Sequence, residues 1–151
     1  MDKQDQTVEQ QVWQRVHSCR GEAPGNDLRQ LQRETMELAA IYRGLAEQLT
    51  GGAREQAREL YRGERASGKL LAGIGILSRQ AGESVKLWQP GREAPEKVLV
   101  RCYHRTRRCM TEYLARSADP EFGIVFDHLA KRAARHCTVI AELLGSLDAR
   151  A

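Results

Sequence analysis

Apolar residues recur at the spacing of an α-helix along most of the chain and predict four long helices. Each predicted helix carries one apolar face, as expected of helices that pack around a shared core. The pattern places them near residues 28–49, 54–78, 95–117 and 120–146. These periodic segments cover most of the chain, so the sequence predicts an all-α protein.

The connections between these segments predict how the helices pair. Gly51 and Gly52 provide a left-handed turn so short that the first two helices must be antiparallel. Asp119 as a cap, followed by Pro120 in the first turn, has the same consequence for the last two helices. Residues 79–94 form a long connection without a helical stripe, which permits parallel neighbours. Two antiparallel hairpins joined by a long crossover form a ferritin-like four-helix bundle.

A shorter amphipathic helix is predicted before the bundle. Valines recur four residues apart from Val8 to Val16 after a capping-box pattern, and residues 18–26 contain the Gly, Pro and Asn of a linker. The predicted organisation is therefore an N-terminal helix with its linker over residues 1–26 and the bundle over residues 27–151.

Composition agrees with this picture and narrows the functional classes. Aromatic residues make up only 5% of the chain, and the net charge of +4 arises from interspersed basic and acidic residues. Such mixing is typical of a solvated helical surface and does not favour nucleic acid. With no apolar run of 18 residues and no signal-peptide pattern, we expect a cytoplasmic protein without a membrane segment. Free thiols are expected there, which leaves the roles of Cys102, Cys109 and Cys137 open.

Several polar residues fall on the predicted apolar faces near the middle of the bundle. They are Glu34, Glu64, Ser67, Thr106 and His136. A buried imidazole needs a partner for its ring nitrogens, so His136 indicates either a metal ion or a hydrogen bond to Glu64 or Glu34. A di-metal centre in such a bundle takes a Glu from each of two helices and a Glu-x-x-His pair from each of the others. The chain contains fragments of that plan.

One stretch in each long helix supports a resemblance to a known family. The stretches are ELAAIYRGLAEQL, LYRGERASGKLLAGIGILS, RCYHRTRRCMTEYLARSADPEF and LAKRAARHCTVIAELLG. Over roughly Val12 to Leu147 the chain resembles the rubrerythrin-like branch of the ferritin-like superfamily, which implies a di-iron oxidoreductase. The positions that the resemblance assigns to metal ligands hold Glu34 or Thr35, Glu64 with Ser67, Arg105 or Thr106, and Ala133 with His136.

About half of the family's ligands are therefore present, and this predicts a degenerate site. Glu34, Glu64 and His136 are the residual metal-ligand positions, with no catalytic residue and no bound cofactor expected. The chain is then expected to be a non-catalytic structural or interaction protein, and a homodimer is its expected assembly.

Two alternative functions stay open. One is a metal-binding oxidoreductase of rubrerythrin type that handles peroxide or iron through the partial site. The other is a regulator that binds a partner through a basic face on the third and fourth helices. That face consists of Arg101, Arg105, Arg107, Arg108, Lys131, Arg132 and Arg135.

Overall fold

The computed structural model describes residues 28–77, 91 and 93–148, and this part of the chain forms four α-helices. The predicted helices are confirmed, with boundaries within three residues of those expected. The helices are α1 (Leu28–Gln48), α2 (Gly51–Leu77), α3 (Pro95–Arg116) and α4 (Gly123–Asp148). The predicted N-terminal helix, the division between residues 1–26 and 27–151, and most of the long connection concern residues outside the described part.

The helices form two hairpins that pack as a bundle. Helix α1 packs along α2, and α3 packs along α4, while α2 also contacts α4 and α1 contacts α3. No helix in the described ranges is long and apolar enough to cross a membrane. The predicted all-α four-helix bundle of two hairpins is confirmed at this level.

Two apolar clusters occupy the two ends of the bundle. One combines the C-terminal halves of α1 and α4 with the N-terminal halves of α2 and α3. The other combines the opposite halves, and includes Leu31, Leu71, Tyr113 and Phe126. Helices α2 and α3 are therefore parallel, and the end of α2 lies at the opposite end of the bundle from the start of α3. A connection of the predicted length is needed to join them.

The turn between α1 and α2 follows the predicted chemistry. Gly51 has a φ of 59°, the left-handed conformation that glycine adopts without strain. Gly52, for which the same conformation was predicted, is already helical. Arg54 then donates from Nε to the carbonyl oxygens of Ala46 and Leu49, at 2.9 and 2.8 Å. These bonds satisfy carbonyls that the end of α1 leaves without helical partners.

The start of α4 differs from the prediction. The Asp119 carboxylate accepts hydrogen bonds from the backbone N–H groups of Glu121 and Phe122, both at 2.8 Å, so it is a cap as predicted. The residues after it form a turn, and the helix begins only at Gly123. Within this segment Phe126 is buried in the core, whereas Phe122 and Val125 are partly buried.

Candidate functional site at the middle of the bundle

A layer of buried polar side chains separates the two apolar clusters. In each helix its members fall between the residues of one cluster and those of the other. They are Thr35, Glu64, Ser67, Thr106 and His136, each with at most 5% of its surface exposed. Four of the five predicted mid-core polar residues are confirmed as buried. Buried polar groups need hydrogen-bond partners, so their contacts define what this layer can do.

His136 and Glu64 form the centre of the layer. Nδ1 of His136 lies 3.0 Å from Oε1 of Glu64, and the two side chains are 4% and 7% exposed. An ionised carboxylate only accepts, and Nδ1 is the donor of this bond in that state. The predicted alternative of a buried histidine bonded to a glutamate is therefore confirmed, with Glu64 as the partner.

The same imidazole lies directly against the backbone of α2 at Gly63. A Cβ atom built at Gly63 would lie 2.2 Å from Nε2 of His136. The helical pattern alone did not connect this glycine with His136, although a glycine one residue before a buried acid is a usable signal. Because Gly63 has no side chain, the His136 ring fits between α2 and α4.

Ser67 and Thr106 take part in hydrogen bonds within the chain. Arg132 donates from Nη1 to the Ser67 hydroxyl at 3.0 Å, and its Nη2 lies 3.0 Å from Nε2 of His128. The hydroxyls of Thr106 and Tyr42 are 3.5 Å apart, a long contact across α1 and α3. Two positions where the family resemblance requires metal ligands are thus occupied by hydroxyls with partners from this chain.

Glu34 lies outside the buried layer, contrary to its predicted place on the inward face of α1. Its carboxylate accepts a 2.9 Å hydrogen bond from Nε of Arg105, and its side chain is 25% exposed. Arg105 also donates to Glu37. Thr35 occupies the core position, since one residue along a helix turns the side chain by about 100°. The predicted inward register is therefore wrong at Glu34.

Arg105 also differs from its predicted role on a solvated basic face. Its side chain is only 20% exposed. Burial lowers the pKa of its guanidinium, but the hydrogen bonds and charges of Glu34 and Glu37 outweigh this and raise the pKa above its ordinary value. Arg105 is thus a fixed cation that joins α3 to α1.

The three predicted metal-ligand positions are divided between these two contacts. Glu64 and His136 bind each other, and Glu34 binds Arg105. Among the described residues, no group of three or more His, Cys, Asp or Glu side chains is placed to hold a metal ion. A di-iron centre of the family type needs about four carboxylates. The donors that the structure brings together do not fit such a centre.

Cys102 and Cys109 are buried thiols. The sequence had left their roles open. Burial raises the pKa of each to about 12. Cys137 is partly buried, and burial raises its pKa as well. A thiolate is the reactive form of cysteine, so Cys102 and Cys109 are poor nucleophiles at neutral pH.

Alkaline pH is expected to destabilise the protein through these two thiols. Between pH 9.0 and about 12 they ionise in the unfolded chain and stay protonated in the folded one. The folded state then binds more protons, so the free energy of unfolding falls as pH rises, by up to about 1.4 kcal/mol per pH unit for each thiol. Urea unfolding at pH 8, 9, 10 and 11 measures the slope. The double variant Cys102→Ala/Cys109→Ala should show a shallower slope, and an unchanged slope would contradict the assignment.

The predicted basic face is largely neutralised by acids of the same chain. Four of its seven residues form ion pairs with carboxylates, and the guanidinium of Arg107 lies 6.0 Å from the ring centre of Tyr103. The pairs are Arg101 with Glu93, Arg105 with Glu34 and Glu37, Lys131 with Asp127, and Arg135 with Glu59. The use of this face by a partner stays a prediction.

The described part of the chain is an all-α four-helix bundle of two helical hairpins with a polar layer at its centre. No protein-family model, curated protein or solved structure matches the chain. The resemblance to rubrerythrin-like bundles therefore rests on the residue patterns alone.

Proposed function

We propose that the chain is a ferritin-like bundle of the rubrerythrin branch that has lost its di-iron centre and acts as a non-catalytic structural or interaction protein. One observation carries the proposal: the guanidinium of Arg105 binds the carboxylates of Glu34 and Glu37. A cation of the chain itself balances acids that a metal ion would otherwise use. The homodimer expected from the sequence stays a prediction.

The rest of the polar layer supports the same proposal. Ser67 and Thr106 stand where the family has ligands, and each is hydrogen-bonded within the bundle. Glu64 and His136 bind each other directly. A metal ion at this place would have to break these bonds and also overcome the charge of Arg105, and both requirements oppose binding.

The arrangement of the helices is compatible with the proposed family. Two hairpins lie side by side, and α2 is parallel to α3. The end of α2 and the start of α3 lie at opposite ends of the bundle. A ferritin-like bundle with one long crossover requires this arrangement.

Iron binding tests the proposal. Protein purified without chelator from iron-supplemented culture is expected to contain far less than two iron ions per chain. Added iron(II) should leave the Tm unchanged, because a ligand that does not bind the folded state cannot stabilise it. Metal analysis and thermal unfolding give both results. Two iron ions per chain, or a di-iron absorption band after iron addition, would instead support the rubrerythrin-type oxidoreductase.

A matched pair of variants tests the role given to Arg105. Arg105→Ala leaves Glu34 and Glu37 without their cation, so manganese(II) should raise the Tm of this variant but not that of the wild type. Arg101→Ala is the control, since it removes an exposed arginine of the same helix that is paired with Glu93 and contacts neither Glu34 nor Glu37. Equal responses of the two variants would show that Arg105 does not exclude cations.

A further inference from the structure

A groove of about 550 Å³ lies on the α1–α2 hairpin and is unrelated to the polar layer. It is lined by α1 and α2 alone. Its lining residues are Arg43, Ala46, Glu47, Arg54, Arg58, Tyr61 and Arg62. Four arginines thus face one acidic residue among the described residues that line it, so the groove is strongly positive.

Three of these arginines form a stripe along α2. Arg54, Arg58 and Arg62 are four residues apart, so they share one side of the helix, and Arg43 approaches from α1. Like charges at this spacing repel one another and destabilise a helix by a few tenths of a kcal/mol. An anion in the groove would relieve that repulsion.

The partners of the arginines show which of them are free to bind a ligand. Nε of Arg54 is bound to backbone carbonyls, and Arg58 forms an exposed ion pair with Glu55 at 2.7 Å. Arg43 and Arg62, by contrast, have no ion pair or side-chain hydrogen bond to any described residue. Their guanidinium groups can donate to a ligand without breaking a contact of the fold.

We propose that this groove binds a small molecule with a phosphate or diphosphate group, held by Arg43 and Arg62. The excess of arginine over glutamate suits a ligand with two or three negative charges, and the guanidinium fork matches phosphate oxygens in bidentate pairs. The ring of Tyr61 is partly buried and packs against the core. It therefore provides an apolar surface on one side of the ligand.

The size of the site favours a small ligand over an acidic protein partner. Ligand pockets in proteins have volumes of about 300 to 1,000 Å³, and this groove lies within that range. A protein partner would instead need a broad surface, of about 800 Å² on each side. The volume of the groove therefore favours the small molecule.

Calorimetric titration with inorganic pyrophosphate at about 50 mM salt tests the proposal, because charge interactions are only weakly screened there. We expect one saturable site per chain and a rise in Tm. Arg43→Gln/Arg62→Gln should weaken pyrophosphate binding by about tenfold or more, since it removes two charge-assisted contacts. The control Arg107→Gln/Arg108→Gln removes the same charge from α3, away from the groove, and should retain binding within about twofold.

Three outcomes would overturn the proposal. The first is the absence of saturable binding at millimolar pyrophosphate. The second is an equal loss of affinity in both double variants, which would indicate general charge attraction rather than a site. The third is saturable binding of a poly-glutamate peptide without binding of pyrophosphate, which would assign the groove to an acidic protein partner. Circular dichroism of each variant verifies that the helices remain folded.

Discussion

Replacing His136 by alanine is expected to destabilise the protein by about 3 kcal/mol. The change leaves the carboxylate of Glu64 without its partner in a place where only 7% of the side chain is exposed, and it opens a cavity beside it. Glu64→Ala should have a comparable cost, because it removes the other half of the same hydrogen bond. Urea unfolding followed by far-UV circular dichroism measures both values.

The double variant Glu64→Leu/His136→Leu tests whether the two side chains stabilise the protein as a pair. Replacing both partners with apolar residues leaves no buried polar group without a partner, so the double variant should be more stable than the sum of the losses in Glu64→Leu alone and His136→Leu alone predicts. Thr106→Val is a matched control in the same layer, because its contact with Tyr42 is long, at 3.5 Å. Its cost should stay within about 1 kcal/mol. Single costs that add without coupling would contradict the pairing of Glu64 with His136.

The helices of this bundle could be predicted because the burial of an apolar stripe decides which face turns inward. In α3 the residues that recur at helical spacing on one face are all buried, namely Val98, Leu99, Cys102, Thr106, Cys109 and Tyr113. The prediction was wrong at the start of α4, where the Asp119 cap precedes a turn and not the helix itself. A cap fixes which N–H groups are satisfied, but it does not reveal how many residues follow before regular helix begins.

The central pair was also accessible from the sequence, whereas the ion pairs around it were not. Glu64 and His136 lie at the middle of their stripes, so any bundle that buries those faces brings them inward. Glu34 lies beside Thr35 at the edge of its stripe, and a small rotation of α1 decides which of the two is buried. The contact of Arg105 with Glu34 could not be predicted from the sequence alone. Its prediction requires the knowledge that α1 packs against α3.

Arginine at a stripe's edge is hard to assign from sequence for a physical reason. Its long apolar stem can cross a helix boundary while the guanidinium remains near water, so the same residue fits a solvated face and a buried ion pair. Arg105 forms the partly buried ion pair, whereas Arg107 lies against Tyr103 on the solvated surface. The choice depends on whether an acid lies on the neighbouring helix.

Gly63→Ala is expected to destabilise the protein by about 2 kcal/mol, although alanine favours a helix by about 1 kcal/mol over glycine. The new Cβ would lie 2.2 Å from Nε2 of His136. The ring cannot easily move away, because its other nitrogen is bound to Glu64 at 3.0 Å and its surroundings are packed. Gly73→Ala, in the same helix, is the matched control: nothing lies within 4 Å of its Cβ position, so alanine should stabilise there by up to about 1 kcal/mol.

The cause of the Gly63 effect can be isolated in the His136→Ala background. With the imidazole absent, the nearest atoms to a Cβ at position 63 are gone, since all the close contacts recorded there belong to His136. Gly63→Ala should then change from destabilising to neutral or stabilising, which is a large departure from additivity between two contacting residues. A penalty that persists in this background would locate the conflict in the backbones of α2 and α4. It would also show that the packing of the His136 ring against α2 is not the reason why a glycine is needed at position 63.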